Sequence, residues 1–294
     1  MWEQLPRIEW RVSELTSYLH IIEAVVNDRP VVHEPLRQAV GELAPALRSS
    51  IQETVGWNAQ IWLPKLLWGS DVTTDLSKLV RGAADDKRFQ KDQAPLLVAR
   101  LEDAIAAIRG VIPDMRKELT IRTRPLREQW EARGPGLMRA VSQFFAANKE
   151  YWAFGESENR PAVCCPVYPV LGGAALEHRS PNGVRVEAVL VNPQPDLPEV
   201  VRLARALTVQ GVFAGNFPNT DHRIHRWGLV TVLQIPLLLH AAEAVGLCEC
   251  DAVTIQLAID SWPLYFGYRR HKAEELLARW NDLRRFLDDL DDSP

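Results

Sequence analysis

Three things are scarce in this chain: cysteine, net charge and uninterrupted apolar sequence. Four cysteines among 294 residues fall into two close pairs, Cys164-Cys165 and Cys248 with Cys250. Neighbouring positions rarely suit a mutual disulfide and a chain this long needs no such staple, so reduced thiols in a cytoplasm are expected. Neither pair has the C-x-x-C spacing of common zinc sites and redox pairs, and Cys164-Cys165 sits in an apolar run that predicts buried, inert thiols. A formal net charge of -4 and a pI near 6.0 supply no global field for a polyanion, so nucleic acid is not an expected partner. The longest apolar stretch, 228–247, is interrupted by Gln234, Pro236, His240 and Glu243. Each would be costly in lipid, so the stretch reads as a buried helix kinked or broken near Pro236, and no membrane association is expected. The opening residues mix charges into every turn and lack the apolar centre of a secretory signal, which again predicts a cytoplasmic protein.

Also missing are G-x-G-x-x-G, a Walker loop, a G-x-S-x-G elbow and H-E-x-x-H, so the motif-bearing nucleotide, hydrolase and zinc-peptidase classes lose their usual support. No cofactor is expected.

What remains is 47% hydrophobic and 24% charged, the makeup of a globular chain, with a clear helical signal to about residue 112. Leu15, Leu19, Ile22 and Val26 recur at three- and four-residue steps, which aligns them on one helix face. The same step runs through Leu36, Val40, Leu43, Leu47 and Ile51, predicting a helix over 34–54 that Pro45 should kink. Leu96, Leu97, Leu101, Ile105 and Ile108 form the stripe of a third helix over 91–110, and Trp57, Trp62 and Trp68 are expected to help fill a bundle. After Asn148 the pattern changes. Around the turn signal Pro181-Asn182-Gly183, Val184, Val186, Ala188 and Leu190 alternate with Arg185, Glu187 and Val189, the period of a strand. Pro166–Val170 is its expected partner across that turn. A helix beginning at Glu199 follows, and the remainder reads as helical again. The expected fold is mainly α with a small sheet (α+β). It consists of a helical bundle over 1–115 and an α+β domain over 116–294, with two or three strands near 163–191 and C-terminal helices.

Three groups of residues are candidates for chemistry. In "RTRPLREQWEARGPGLMR" (122–139), Arg127 and Arg133 flank Gly134 and Gly136. These arginines, or the free amides after Gly134 at a helix N-terminus, would bind a phosphate or carboxylate. The competing reading, and the commoner arrangement, is helix punctuation: Gly134 caps one helix and Pro135 opens the next. Glu187 and Glu199 form an alternative acid–base pair, set against a solvated strand face and a helix first turn. His222 and His225, three apart, offer a weak metal alternative.

The blocks "RPLREQWEARGPGL" (124–137) and "NGVRVEAVLVNPQPDLPEVVRLARAL" (182–207) resemble an uncharacterised family of bacterial proteins associated with planctomycetes. That resemblance implies a bacterial protein and brings no activity with it. A weaker likeness is to gluzincin-type zinc peptidases, in which a strand edge precedes the H-E-x-x-H helix. Here Pro198 and Arg202 stand where histidines are needed and only Glu199 matches, so the likeness implies a non-catalytic relative without metal. The expected function is a non-enzymatic binding or protein-interaction module, whose partner is a protein or a small anionic ligand. An enzyme of undetermined class and a metal-binding protein built on His222 and His225 are the alternatives.

Overall fold

The computed structural model describes residues 8–67, 69–70, 73, 75–83, 88–146, 162–178, 183–214, 234–262 and 272–291. Helices dominate, and one small mixed sheet makes the fold α+β. Strand β1 (Ile8–Trp10) leads into helices α1 (Glu14–Val26), α2 (Glu34–Gly41), α3 (Ala44–Val55), α4 (Ala59–Leu67), α5 (Leu76–Gly82), α6 (Ala94–Val111) and α7 (Met115–Ala146). Strands β2 (Ala162–Val167), β3 (Ala175–His178) and β4 (Gly183–Glu187) follow, and then helix α8 (Glu199–Ala214), a helix over 234–244 (α9), α10 (Ala252–Ser261) and α11 (Ala273–Asp291).

Helix starts follow the chemistry of the sequence. Ser13, Asp75 and Asp251 each accept a hydrogen bond from the amide three residues on, at 3.2, 3.0 and 2.7 Å, which satisfies a donor that the first helical turn leaves free. Residues 34–54 form two helices rather than one kinked helix. Pro45 sits in the first turn of α3, where its missing N–H costs nothing, so it begins a helix instead of bending one. In α6 the stripe uses Leu97, Leu101, Ala104, Ile105 and Ile108, while Leu96 is left exposed on the other side. Trp62 is fully buried, and the half-buried Trp57 has Lys65 and Arg88 over its ring; Trp68 lies outside the described residues.

The sheet order is β1-β2-β4-β3. β1 pairs with β2 and β2 with β4 in parallel, and β3 pairs with β4 antiparallel. Three strands lie over 162–187, within the two or three expected there, and residues 8–10 add a fourth to the described sheet. The partner of β4 across the Pro181-Asn182-Gly183 turn is β3; the segment expected there, Pro166–Val170, overlaps β2, which runs parallel on the other side. Two cores result. One gathers α1 to α6 with Met115, Leu119, Tyr168 and Val170; the other gathers Leu126 onward with the sheet and α8 to α11.

The 32 residues of α7 span both cores, about 48 Å at 1.5 Å per residue. The helix continues through Pro125 and Pro135, so the break expected at Gly134-Pro135-Gly136 does not occur. Leu119, Thr123, Leu126, Trp130, Gly134, Leu137 and Val141 make one buried stripe that carries the helix across its prolines. No described helix is long and apolar enough to cross a membrane; within 228–247 the described helix is 234–244, with Pro236 near its start.

Candidate functional site

Three strands run parallel, so their carboxyl ends lie along one edge of the sheet, where α/β architectures place their sites. The β2–β3 connection has to pass over that edge, because β4 lies between the two strands it joins. Gly172 and Gly173 take φ of 81° and 103° to make the crossing, which aims successive backbone amides inward. Glu187, the last residue of β4, fills the cradle so formed. Its Oε1 accepts from the amides of Val170 and Leu171 at 2.8 and 2.7 Å, and its Oε2 from those of Gly173 and Ala174 at 2.6 and 2.8 Å.

A fifth bond comes from the opposite side of the fold. His20 of α1 places Nε2 2.8 Å from Glu187 Oε1, with both side chains fully buried. Arg185 Nη1 lies 3.4 Å from His20 Nδ1. A guanidinium can only donate, so Nδ1 accepts and Nε2 carries the proton given to Glu187. Burial pushes the Glu187 carboxyl up, yet the bonds from His20 and from the amides of Ala174 and Leu171 outweigh it and leave the group below its ordinary 4.5. Glu23, also on α1, accepts from Arg29 Nη2 at 2.6 Å and acts on Arg185 through its charge.

The commoner reading of Glu187 is a solvated strand face. The structure instead covers that face with α1, and every residue of β4 is buried. The alternation of apolar and polar residues in β4 thus separates two buried faces: Val184 and Val186 join the second core, while Arg185 and Glu187 meet the polar side of α1.

Helix α8 carries a second buried polar group. Arg202 is 1% exposed, and its guanidinium lies so close to Gly173 that Nη1 occupies the space a β-carbon would take. Its Nη2 reaches Asn192 Oδ1 at 3.4 Å, while among the described residues Nε and Nη1 have no acceptor. Burial lowers its proton affinity, and the charges of Glu199 and Glu187 oppose that effect, so Arg202 feels both carboxylates. Glu199, in the first turn of α8, is 4% exposed, and its Oε1 is buried without a partner among the described residues. Burial pushes its carboxyl up to about 7 against the opposing charge of Arg202. Arg205, one turn further on, stacks over Trp262 and points Nη1 at the Ala175 carbonyl at 3.5 Å.

The other candidates stand elsewhere. Arg127 is exposed on α7 and bonds Glu131 at 2.7 Å, and Arg133 is exposed on the same helix. Because the helix is continuous there, neither free amides nor a cap exists at Gly134 and Gly136. Gly134 is buried against the Trp130 indole, whereas Gly136 faces open space. His222 and His225 lie outside the described residues. Among the described residues no three His, Cys, Asp or Glu side chains gather as a metal site. Burial raises the Cys164 thiol well above its ordinary value and the Cys248 thiol to about 12, the reverse of what a thiolate nucleophile needs.

His20 and Arg202 escaped the reading of the sequence. Their signal was a charged or titratable residue inside an otherwise apolar run, "YLHIIEAVV" for one and "EVVRLARALTV" for the other. No family model matches the chain, and no curated protein or solved structure matches it.

Proposed function

We propose that this is a cytoplasmic, non-enzymatic binding protein that takes a small anionic ligand at Arg202. The observation that carries the reading is a guanidinium at 1% exposure with Nε and Nη1 lacking an acceptor among the described residues. Leaving a charged donor buried and unsatisfied is costly, and an oxyanion supplies what is missing. The position supports the reading too, since Arg202 stands beside the Gly173 loop at the carboxyl edge of the parallel strands. Glu187 argues against acid–base catalysis, because five hydrogen bonds occupy both of its oxygens and hold it ionised.

A thermal-shift titration with phosphate, sulfate and acetate at matched ionic strength tests the proposal, since a ligand of the native state raises apparent stability by mass action. The expected result is a saturable shift with at least one anion that Arg202→Lys abolishes and Arg127→Ala, a change on the solvent face of α7, leaves intact. No shift, or a shift equal in Arg202→Lys, overturns it. Near-ultraviolet circular dichroism of Arg202→Lys confirms that the variant compared is folded.

A further inference from the structure

We infer that the ligand is a small monocarboxylate, held between the guanidinium of Arg202 and the carboxyl group of Glu199. This rests on the anion-binding reading of Arg202 and specifies what the second group beside it selects. Residues three apart on a helix are neighbours, so Glu199 and Arg202 lie on the same side of α8 in its first turns. The two groups make no ion pair within bonding distance among the described residues, although each feels the other's charge. Each keeps a buried, unpartnered atom: Oε1 of Glu199, and Nε and Nη1 of Arg202. A protonated Glu199 is a donor, and Arg202 is always one. Together they offer hydrogen bonds to an acceptor with two oxygens and one negative charge, which describes a carboxylate.

Charge separates a carboxylate from a phosphate dianion. When the site is empty and Glu199 is ionised, Arg202 faces two carboxylates, Glu199 and Glu187. A bound monocarboxylate with a neutral Glu199 gives the same total, so above neutral pH the ligand enters with one proton that ends on Glu199 Oε1 or Oε2. A phosphate dianion adds a further charge, and the amide cradle that would hold it is already filled by Glu187. Other described charges leave this balance alone. Asp196, in the loop before α8, is exposed, and Arg185 of β4 faces α1. Arg205 is engaged with Trp262 and the Ala175 carbonyl. The buried described residues of α7, from Met115 to Ser142, carry no titratable group.

Isothermal titration of the full chain with acetate, propionate and butyrate tests the inference, with inorganic phosphate in parallel. It is run at pH 6 and pH 8 in two buffers of different ionisation enthalpy. The expected result is carboxylate binding that needs Arg202 and weakens about tenfold per pH unit above 7, with about one proton taken up at pH 8. Glu199→Gln, whose amide still donates, should bind carboxylates with no pH dependence and no proton uptake. Phosphate binding that needs Arg202, without carboxylate binding, would leave the anion-binding reading standing and sink this one. Carboxylate binding without proton uptake in the natural sequence removes Glu199 from the site and also overturns it. Binding of neither class at either pH overturns this inference, and with no thermal shift in sulfate it overturns the anion-binding reading too.

Discussion

Glu187 receives five hydrogen bonds in a space sealed by α1 on one side and a seven-residue connection on the other, and its neighbours are arranged around a negative charge. Replacing it with glutamine keeps the size but puts an amide donor against amide donors. Glu187→Gln should therefore destabilise the protein by about 3–5 kcal/mol, the usual cost of breaking a buried ionic arrangement by removing one partner, as read from urea unfolding at pH 7. The same comparison has a pH signature. The carboxyl is held below 4.5 in the folded chain, so its contribution is complete above that pH and is lost as pH falls through the lower folded value. The difference between natural sequence and variant should accordingly shrink on acidification below pH 4.5. Glu199 has the opposite sign. Its folded carboxyl is pushed up to about 7, so the unfolded chain releases its proton first and stability declines between pH 4.5 and 7. Without ligand, Glu199→Gln should raise the unfolding midpoint at pH 8 and leave it nearly unchanged at pH 4, with an upper bound of about 3 kcal/mol from the size of the displacement. An equal effect at both pH values would mean that the residue's ionisation is not what the protein resists.

Within α7, two glycines separated by a single proline should respond to alanine in opposite ways. Gly134 is buried with the Trp130 indole over its α-carbon, so a β-carbon there drives the ring out of the core. Gly136 meets nothing and is exposed. Gly136→Ala should stabilise by about 0.5–1 kcal/mol through helix propensity alone, while Gly134→Ala should destabilise by about 1–3 kcal/mol, both measurable by thermal unfolding. Local residue signals misread this helix because Gly-Pro-Gly ordinarily ends one, whereas the stripe Leu126, Trp130, Gly134, Leu137 and Val141 holds it together by burial on both sides of the proline. Helices whose apolar stripe was uninterrupted, α1 and α6, were legible from spacing. Strand β4 was legible as a strand for the same reason, since period two survives whether the polar face meets water or another layer. What covers that face was not legible. Glu187 reads as solvated until His20, more than 160 residues earlier in the chain, is brought against it and against Arg185. The candidate site shares that limit: Glu199 stood out as a carboxylate and the apolar run around Arg202 points to burial, but nothing local marks its guanidinium as short of acceptors.

At the scale of the molecule, the sheet is where the two cores meet. One face packs Val184 and Val186 into the second core, and the other presents Arg185, Glu187 and the amide of Tyr168 to α1, whose Ser17 hydroxyl accepts from that amide at 2.9 Å. Tyr168 and Val170, from the connection that cradles Glu187, lie in the first core, and the Val32 amide bonds the Val170 carbonyl at 2.8 Å. β1 adds an edge strand to the same sheet from the start of the described chain. A cut between residues 115 and 116 would separate the helical segment from the α+β segment in sequence. It would also strip β2 of one neighbour and uncover a buried guanidinium and a buried carboxylate together. A chain of residues 116–294 should therefore fail to give a cooperative thermal transition on its own, and it should recover one when residues 1–115 are supplied as a separate chain at high concentration. The intact protein should unfold in one transition, with tryptophan fluorescence and far-ultraviolet circular dichroism coincident, because losing α1 takes His20 from Glu187 and uncovers its carboxylate, and losing the sheet removes the partners of His20. Two separated transitions, or a well-folded 116–294 fragment, would show that the polar contacts between the cores are too weak to couple them.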